Sequence, residues 1–586
     1  MQKQNDVDWK TWITALFIQV PNKSLLPSIT QSMNTHLPVQ NRAREDFRIN
    51  SFKLVPLKEV GANSMKIVSP GLFTSVHPAA VFTPSIMAIF ILLLSCFNFA
   101  NSTITTFSKR LKEIGLRKAF GGHKGQLIMQ FMFETFIICF LAILVGIAIA
   151  KFLVPAYSSL WEYMSIELTF SKYAFFWLFL LLLLLFTGFI AGIYPAMHVS
   201  SYSPVRILKG NTPFKGLGIL SSVLLLLQFA ISIMALVLSI TFAKNSDYQK
   251  TLDLGYDRDK LITVPIAPEY FTSYRNEIMT NPKIISAEGT RNHIGFSSYR
   301  GSIKDEEKQL EVDILDIGPG YAGTMGLRLI EGRMFDESSA AADRTNSSII
   351  VNQKLVNDFG WQEVVGRAIH LNDTARMTIT GVVDDFYRRG VWEKIEPSLL
   401  RLSTSNQYNF LIVKANPEDI SNVLEYLNLK WKSQITNHIF EGMRQEDIMH
   451  DGIEINRSIL KTNIFLAIIA ILLSLLGMYN MVSLDIIRRT KEVGIRKILG
   501  APVPLIMFLV SKKFLIILLI ASILGCTGGY YLSLVFLDSI WDYFVNINMG
   551  ILLFASSIMF TTTIITVIFK IARAIMQNPI VSLRYE

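Results

Sequence analysis

Glu113 and Arg117 stand four residues apart in Lys112-Glu-Ile-Gly-Leu-Arg-Lys-Ala-Phe-Gly-Gly122, and Glu492 and Arg496 keep the same spacing in Lys491-Glu-Val-Gly-Ile-Arg-Lys-Ile-Leu-Gly-Ala501. At that spacing a carboxylate and a guanidinium meet on one helix face, so each copy reads as a short basic helix braced by its own ion pair. Lys112, Gly115 and Lys118 recur as Lys491, Gly494 and Lys497. Leu111 with Ile114, and Ile495 with Leu499, add an apolar side suited to a groove on another protein. The chemistry on offer is docking. The alternative is a basic stop signal that rests on headgroups, but that role needs only charge and no matched Glu and Gly.

Bond-making constellations are missing. The eight histidines form no H-E-x-x-H and no i, i+4 helical pair, and Asp384-Asp385 has no cysteine or histidine nearby in sequence. No phosphate-binding loop of the Gly-x-x-x-x-Gly-Lys-Ser/Thr kind occurs; Gly121-Gly-His-Lys-Gly125 lacks the spacing and the hydroxyl that holds magnesium. The expectation is therefore no enzyme, no cofactor and no metal, with any ATP hydrolysis supplied by another polypeptide.

The elements that position the basic helices are membrane spans. Charged residues are 17% of the chain and hydrophobic ones 51%, against about 25% charged in soluble proteins. Seven segments carry roughly the 20 apolar residues a bilayer core requires: Phe82 to Ile104, Leu127 to Ala156, Ala174 to Met197, Leu217 to Ala243, Ile464 to Leu484, Phe514 to Leu537 and Met549 to Phe569. Asn101 answers Asn480, Trp161-Glu-Tyr163 answers Trp541-Asp-Tyr543, and Ser203-Pro204 with Leu208 answers Asn578-Pro579 with Leu583. Matching at separated points predicts two repeated three-helix units plus one further span.

Charge placement predicts orientation. Lys109, Arg110, Lys112, Arg117, Lys118 and Lys124 follow the first span, and Arg488, Arg489, Lys491, Arg496 and Lys497 follow the fifth, whereas the opposite short loops hold Glu162, Glu167, Asp538 and Asp542. The positive-inside rule puts the basic loops and the C-terminus in the cytoplasm, and Asn352 outside. The net charge of +10 is largely this bias, so nucleic acid is not an expected partner while membrane lipid is. Glu134 and Lys513, at equivalent repeat positions, read as snorkelling groups or as functional ones. Trp161, Tyr163, Trp541 and Tyr543 read as an outer aromatic belt, and Gly188 with Gly192 as a helix-packing pair.

Residues 244–460 read as an α+β extracytoplasmic domain: Ser348-Ile-Ile-Val-Asn352 and Met377-Thr-Ile-Thr-Gly-Val-Val383 alternate, and Pro417 to Trp431 is helical. Cys96, Cys139 and Cys526 all lie in spans, so this domain folds without disulfides. The predicted division is 1–80, the end of a first extracytoplasmic domain; 81–210, a three-span unit; 211–243, a transmembrane helix; 244–460, the external domain; and 461–586, the second three-span unit. Ile13 to Asn34 resembles Phe410 to Asn428, a strand then a Pro-led helix, and Met1 to Lys10 is polar with no apolar h-region behind it. The expectation is a first domain entered partway, its span upstream; the alternative is a seven-span protein with an exported N-terminus.

The repeated Lys-Glu-(Ile/Val)-Gly motif, Ala191-Gly-Ile-Tyr-Pro-Ala196 with Ser203-Pro204-Val205, and Asn578-Pro-Ile-Val-Ser-Leu-Arg584 resemble FtsX-like permeases of the MacB type. Met325 to Phe335, Ile350-Val-Asn352, Val364-Val-Gly366 and Gly381-Val-Val-Asp-Asp-Phe386 resemble the periplasmic core domain of that family. The resemblance covers nearly the whole chain; the departure is the N-terminus, where two-copy members have a first span and a complete first external domain. It implies a permease subunit in the bacterial inner membrane, working with a separate cytoplasmic ABC ATPase dimer that would dock on the two basic helices. The family couples ATP hydrolysis to movement of the periplasmic domains, called mechanotransmission. Two uses remain open. One is export of a peptide, drug or lipid-linked cargo, which a periplasmic adaptor or outer-membrane channel would accompany; the other is regulation of an envelope hydrolase or sensor kinase.

Overall fold

The computed structural model describes residues 16–43, 49–57, 78–160, 174–200 and 215–575, apart from 297, 298, 306, 307, 372–374, 389, 392, 449 and 500. Helices α1 (Leu26–Asn34), α2 (Leu37–Ala43), α3 (Pro78–Lys109), α4 (Leu111–Ala119), α5 (Lys124–Ser158), α6 (Ala174–Ser200) and α7 (Lys215–Thr251) come first. The strands follow: β1 (Leu261–Pro265), β2 (Ile284–Thr290), β3 (Tyr299–Asp305), β4 (Lys308–Ile317), β5 (Leu329–Gly332), β6 (Ser348–Asn352), β7 (Ala368–Leu371), β8 (Ala375–Val383), β9 (Ser398–Leu402), β10 (Phe410–Ala415) and β11 (Met443–Arg444). Among them lie α8 (Pro268–Ile278), α9 (Tyr321–Met325), α10 (Ala340–Thr345), α11 (Gln353–Phe359), α12 (Ile420–Gln434) and α13 (Gln445–Ile448). The chain ends in α14 (His450–Ile498), α15 (Val503–Ile540) and α16 (Met549–Ile575).

Two compact units result: a sheet unit of Met1–Pro78, Gln249–Glu454 and Trp541–Tyr543, and a helical unit of Ala79–Tyr248, Ile455–Ile540 and Phe544–Glu586. Among the described residues, six helices are long and apolar enough to cross a membrane, over Phe82–Thr106, Lys124–Ser158, Ser221–Thr251, Arg457–Ile486, Pro504–Ile540 and Met549–Ala572. The seventh expected span is α6, whose apolar stretch Phe175–Ile190 is shorter among the described residues. Helices are the natural form here, because lipid offers backbone amides no partner.

Lipid also removes the hydrophobic drive between helices, leaving small residues and hydrogen bonds to set contacts. Gly188 and Gly192 face α5: a Cβ on Gly188 would lie 2.4 Å from the Phe136 ring, and one on Gly192 would lie 3.0 Å from Thr135 Cγ2. Gly525 and Gly529 do the same for α15 against Ile233 and Val237 of α7. A polar seam joins α7 to α14. Ser232 Oγ donates to the Ala470 carbonyl (2.9 Å) and lies 2.5 Å from Ser474 Oγ; Ser474 Oγ donates to the Gln228 carbonyl and Ser239 Oγ to the Asn463 carbonyl. These pairs run in antiparallel register. Gln228, fully buried, also accepts from Asn101 Nδ2 of α3 at 3.4 Å.

In the sheet unit, strands pair in the order β11-β1-β10-β2-β4-β3-β7-β8-β6-β9, and β9 also pairs with β4. That last pairing closes β4, β3, β7, β8, β6 and β9 into a ring. Val312 and Ile314, Ile349 and Val351, Ile369 and Leu371, and Met377 and Ile379 alternate into its core, as period-2 strands of a closed sheet do. Strands β11, β1, β10 and β2 extend the sheet over a second core with α8 and α12, built on Ile262, Val264, Tyr274, Leu411, Val413, Leu427 and Trp431, while β5 pairs with β8. Strand β4 belongs to both arrangements, and its buried Asp313 is paired with Arg388 (3.0 Å) and Arg300 (3.2 Å). The expected segments appear as β6, β8 and α12.

Two expectations change. Trp541 is only 2% exposed and belongs to the sheet unit, so it does not face lipid as a belt residue would; Trp161 and Tyr163 lie outside the described residues. The Pro-led helix expected near the N-terminus is α1, but Leu16–Val20 pairs with no strand among the described residues, and Leu16 and Phe17 are exposed.

Among the described residues of the sheet unit, His293 is a fully buried imidazole. His293 Nε2 lies 2.7 Å from Gln445 Oε1 at the start of α13 and 2.9 Å from Thr263 Oγ1, while Nδ1 lies 2.8 Å from the Tyr321 hydroxyl. An amide oxygen only accepts, so Nε2 carries the proton and Nδ1 accepts from Tyr321. Burial pushes the imidazole down to about 4. The unfolded chain takes up this proton near pH 6.5 and the folded chain does not. Stability from His293 is therefore complete above roughly pH 6.5 and is lost as pH falls towards 4, by about 2 kcal/mol at pH 5. Pulse proteolysis in urea should show a lower midpoint for the sheet unit at pH 5 than at pH 7, with a smaller drop in His293→Gln.

Candidate functional site

The first basic helix, α4, starts after Arg110 and closes with Gly122 N–H donating to the Arg117 carbonyl (2.9 Å), Gly121 sitting at φ +95°. That left-handed turn is open to glycine without strain. The second copy closes identically: Ala501 N–H donates to the Arg496 carbonyl at 3.0 Å. Both expected braces form, Arg117 Nη2 to Glu113 Oε1 at 2.6 Å and Arg496 Nη2 to Glu492 Oε1 at 2.9 Å. The side chains of Lys112, Lys491 and Lys497, and that of Val493 beside Gly494, lie outside those described.

The apolar side of the second copy is the expected Ile495 with Leu499, whereas that of the first differs from the sequence reading. Ile114 is 1% exposed and Gly115 is buried, so they face the protein. The outward apolar residues are Leu116 and Phe120, 48% and 88% exposed, and their repeat equivalents Ile495 and Leu499, 45% and 79%. Each copy thus presents an i, i+4 apolar pair, and Phe120 is the more exposed member of the first. The signal was legible: apolar residues at matched positions on the face that carries the ion pair. Burial, then Lys124, pushes the Lys118 ammonium below its ordinary value.

The copies are mounted differently. Arg110 Nη1 pairs with Glu134 Oε2 of α5 at 2.9 Å, Arg117 Nη1 donates to Gln130 Oε1 at 2.9 Å, and Gln130 Nε2 donates to Glu134 Oε1 at 3.2 Å. Glu134 is thus a strap for α4 and not only a snorkelling carboxylate. In the second copy Leu509 and Lys513 stand where Gln130 and Glu134 stand in the first, and the motif is continuous with the 49-residue α14. Among the described residues no group of three or more His, Cys, Asp and Glu could hold a metal ion.

These features define a multi-pass helical membrane protein with an α+β domain inserted between α7 and α14 in chain order. The FtsX-like permease C-terminal family matches residues 85–204 and again 464–581, and the MacB-like periplasmic core domain matches 222–428. The chain belongs to the FtsX-like permeases that carry a MacB-like periplasmic core domain. It is similar to the macrolide export ATP-binding/permease protein MacB of Sodalis glossinidius, 26% identical over 40% of this chain and 36% of that protein. MacB 2 of Aeromonas hydrophila is 24% identical over 44% of this chain and 40% of the relative. MacB of Campylobacter jejuni is 27% identical over 21% and 19%. The chain therefore spans well under half the length of these curated relatives. Among solved structures, the periplasmic region of MacB from Actinobacillus actinomycetemcomitans aligns at 18% identity over 33% of this chain and 92% of that one, with a TM-score of 0.25. The extracellular domain of the noncanonic ABC-type transporter YknZ from Gram-positive bacteria aligns at 13% over 31% and 98%, with a TM-score of 0.24.

The strap makes a local prediction. Its ion pairs are 36–45% exposed, so each contributes about 0.5 kcal/mol. Glu134→Ala should raise amide exchange across Leu111–Ala119 roughly twofold and leave the Glu492 copy unchanged.

Proposed function

We propose that this chain is the permease subunit of an ABC-type system in the bacterial inner membrane, driven by a separate cytoplasmic ATPase dimer. Its basic helices and C-terminus face the cytoplasm and the sheet domain lies outside. Movement of the membrane helices is passed to that domain, as mechanotransmission, and used to export a peptide, drug or lipid-linked cargo. The reading is supported by the family membership, by the lysine and arginine asymmetry, and by relatives that are named macrolide export proteins. Two three-span units, 81–210 and 461–586, flank the helix 211–243 and the domain 244–460; the double match of one family to both ends supports the repeat.

The observation that carries the coupling is the pair of matched apolar knobs. Arg117 and Arg496 are already held by Glu113 and Glu492, whereas Phe120 and Leu499 stand far out of the protein. Burying such a side chain in a partner groove stabilises by about 1.5–3 kcal/mol. By sequence Lys112, Lys118, Lys491 and Lys497 add positive charge to the two motifs, and Gly115, buried, with its repeat equivalent Gly494 completes the matched pattern. An ATPase dimer offers two equivalent grooves, which two copies in one polypeptide would fill.

The paired substitution Phe120→Asp with Leu499→Asp should weaken co-purification of the ATPase at least tenfold and leave membrane insertion intact. Charge reversal at Arg117 and Arg496 should weaken it too, by setting like charges beside Glu113 and Glu492. Unchanged binding and unchanged stimulated ATP hydrolysis in both would return the motifs to topological stop signals. If the ATPase binds and moves the outer domain but no cargo leaves reconstituted vesicles, the regulatory use is favoured.

Orientation is tested by thiols placed where the structure exposes them. Asn352 is fully buried and caps α11, so Ile439, 84% exposed, is the suitable outer position and Leu499 the inner one. A membrane-impermeant reagent on intact cells should label position 439 and not 499; the reverse pattern would sink the topology.

A further inference from the structure

Within the helical unit, α5 and α15 are repeat equivalents at the offset of 379 that relates Lys112 to Lys491. Their first halves pack alike. Leu127, Phe131, Thr135 and Cys139 are buried on α5, and Ile506, Val510, Phe514 and Leu518, each 379 further on, are buried on α15. Both helices continue that face with small residues at four-residue spacing: Ala142, Gly146 and Ala150 in the first copy, Ala521, Gly525 and Gly529 in the second. In the second copy the stripe is buried and seats α7. A Cβ on Gly525 would lie 2.7 Å from the Ala230 carbonyl oxygen and 2.8 Å from Ile233 Cβ, and one on Gly529 would lie 2.8 Å from Val237 Cβ. Positions rise together along both helices, so α7 and α15 run parallel.

In the first copy the same stripe is bare. Ala142 and Gly146 are exposed, and a Cβ on Gly146 would meet no described atom within 4 Å. Glycine inside a helix is unfavourable relative to alanine, and against lipid it returns nothing. Against another helix it lets the backbones approach closely, which is what holds helices together where lipid removes the hydrophobic drive. Val145 and Ile149 flank the stripe and are exposed. Both are confined to one side-chain rotamer in a helix, so covering them takes away little freedom. Helix α7 cannot fill both stripes, since α14 and α15 already hold it.

We propose that the Ala142, Gly146 and Ala150 face of α5 is a docking site within the bilayer for a transmembrane helix of a partner polypeptide. That helix runs parallel to α5 and presents β-branched and methyl side chains to the stripe, as Ile233, Val237 and Ala230 of α7 do to α15. The proposal rests on insertion of α5 in the membrane and not on coupling to an ATPase.

The test uses the full chain in nanodiscs and, as the probe helix, a synthetic peptide with the sequence of residues 215–251. A photo-reactive residue replaces Val145, beside the stripe, or Ile523, exposed on α15. Position 145 should cross-link to the peptide and position 523 only at background. Gly146→Ile should lower the yield from position 145 by roughly tenfold, with the thermal midpoint of the chain alone unchanged, because the added atoms enter open space. Gly525→Ile, set against Ala230 and Ile233, should lower that midpoint. Equal yields from 145 and 523, or a yield that Gly146→Ile leaves intact, would overturn the proposal. A chain-to-chain adduct from position 145 that the peptide does not displace would assign the face to a second copy, and a lowered midpoint in Gly146→Ile would show it packed within the chain; either also overturns it. No ATPase or nucleotide enters the test, so its outcome is separate from that of the coupling reading.

Discussion

The register between α7 and α14 is the constraint on which the remainder rests. In lipid nothing apolar distinguishes one sliding position of two helices from another, so the hydroxyls of Ser232, Ser239 and Ser474, bonded to carbonyls across the interface, have to select it. Strand β1 follows α7 in the chain, β11 precedes α14, and Ile262 of β1 pairs with Arg444 of β11 in antiparallel sense. Each unit thus fixes its own register, the helical one by hydroxyls on carbonyls and the sheet by main-chain pairing, where a slip of one residue turns every side chain to the wrong face.

The two basic motifs share their ion pair, their closing turn and their outward apolar pair, yet the first is a separate short helix strapped to α5 and the second is the end of α14. The first is held to α5 by hydrogen bonds and half-exposed ion pairs, which yield more readily than continuous helix. The two copies keep the outward apolar pair and differ in what stands at the strap position, Glu134 in the first and Lys513 in the second.

Much of this was legible in the chain. Long apolar runs announce spans because the bilayer demands length, and Ser348–Asn352 and Ala375–Val383 announce strands by alternation. The braces at Glu113 and Glu492 followed from spacing alone. In the first basic helix Ile114 and Leu116 are equally apolar, and what points to Leu116 with Phe120 is their match to Ile495 and Leu499, the pair already read as outward in the second. Trp541 and Tyr543 carry the composition of an interfacial belt, yet both fold within the sheet unit, and nothing local in their sequence announces that place. Ring closure through the parallel β4–β9 pair is likewise invisible locally, since Asp313–Ile317 and Ser398–Leu402 come together only once the intervening strands have folded. Gly525 and Gly529 had the same spacing as Gly188 and Gly192, so that packing face could have been found by the same rule.

Strand β10 lies between β1 and β2 and pairs with both, although it is made far later. The two earlier strands have no direct hydrogen bonds to each other, and their facing edges stay open until Phe410–Ala415 has been synthesised. With β11 closing the far side of β1 only at Met443–Arg444, the domain cannot be completed before the chain is about to re-enter the membrane as α14. Such long-range pairing is slow and leaves unpaired edges exposed meanwhile. A ribosome stalled between Leu261 and Phe410 would accordingly leave behind a half-sheet with open edges.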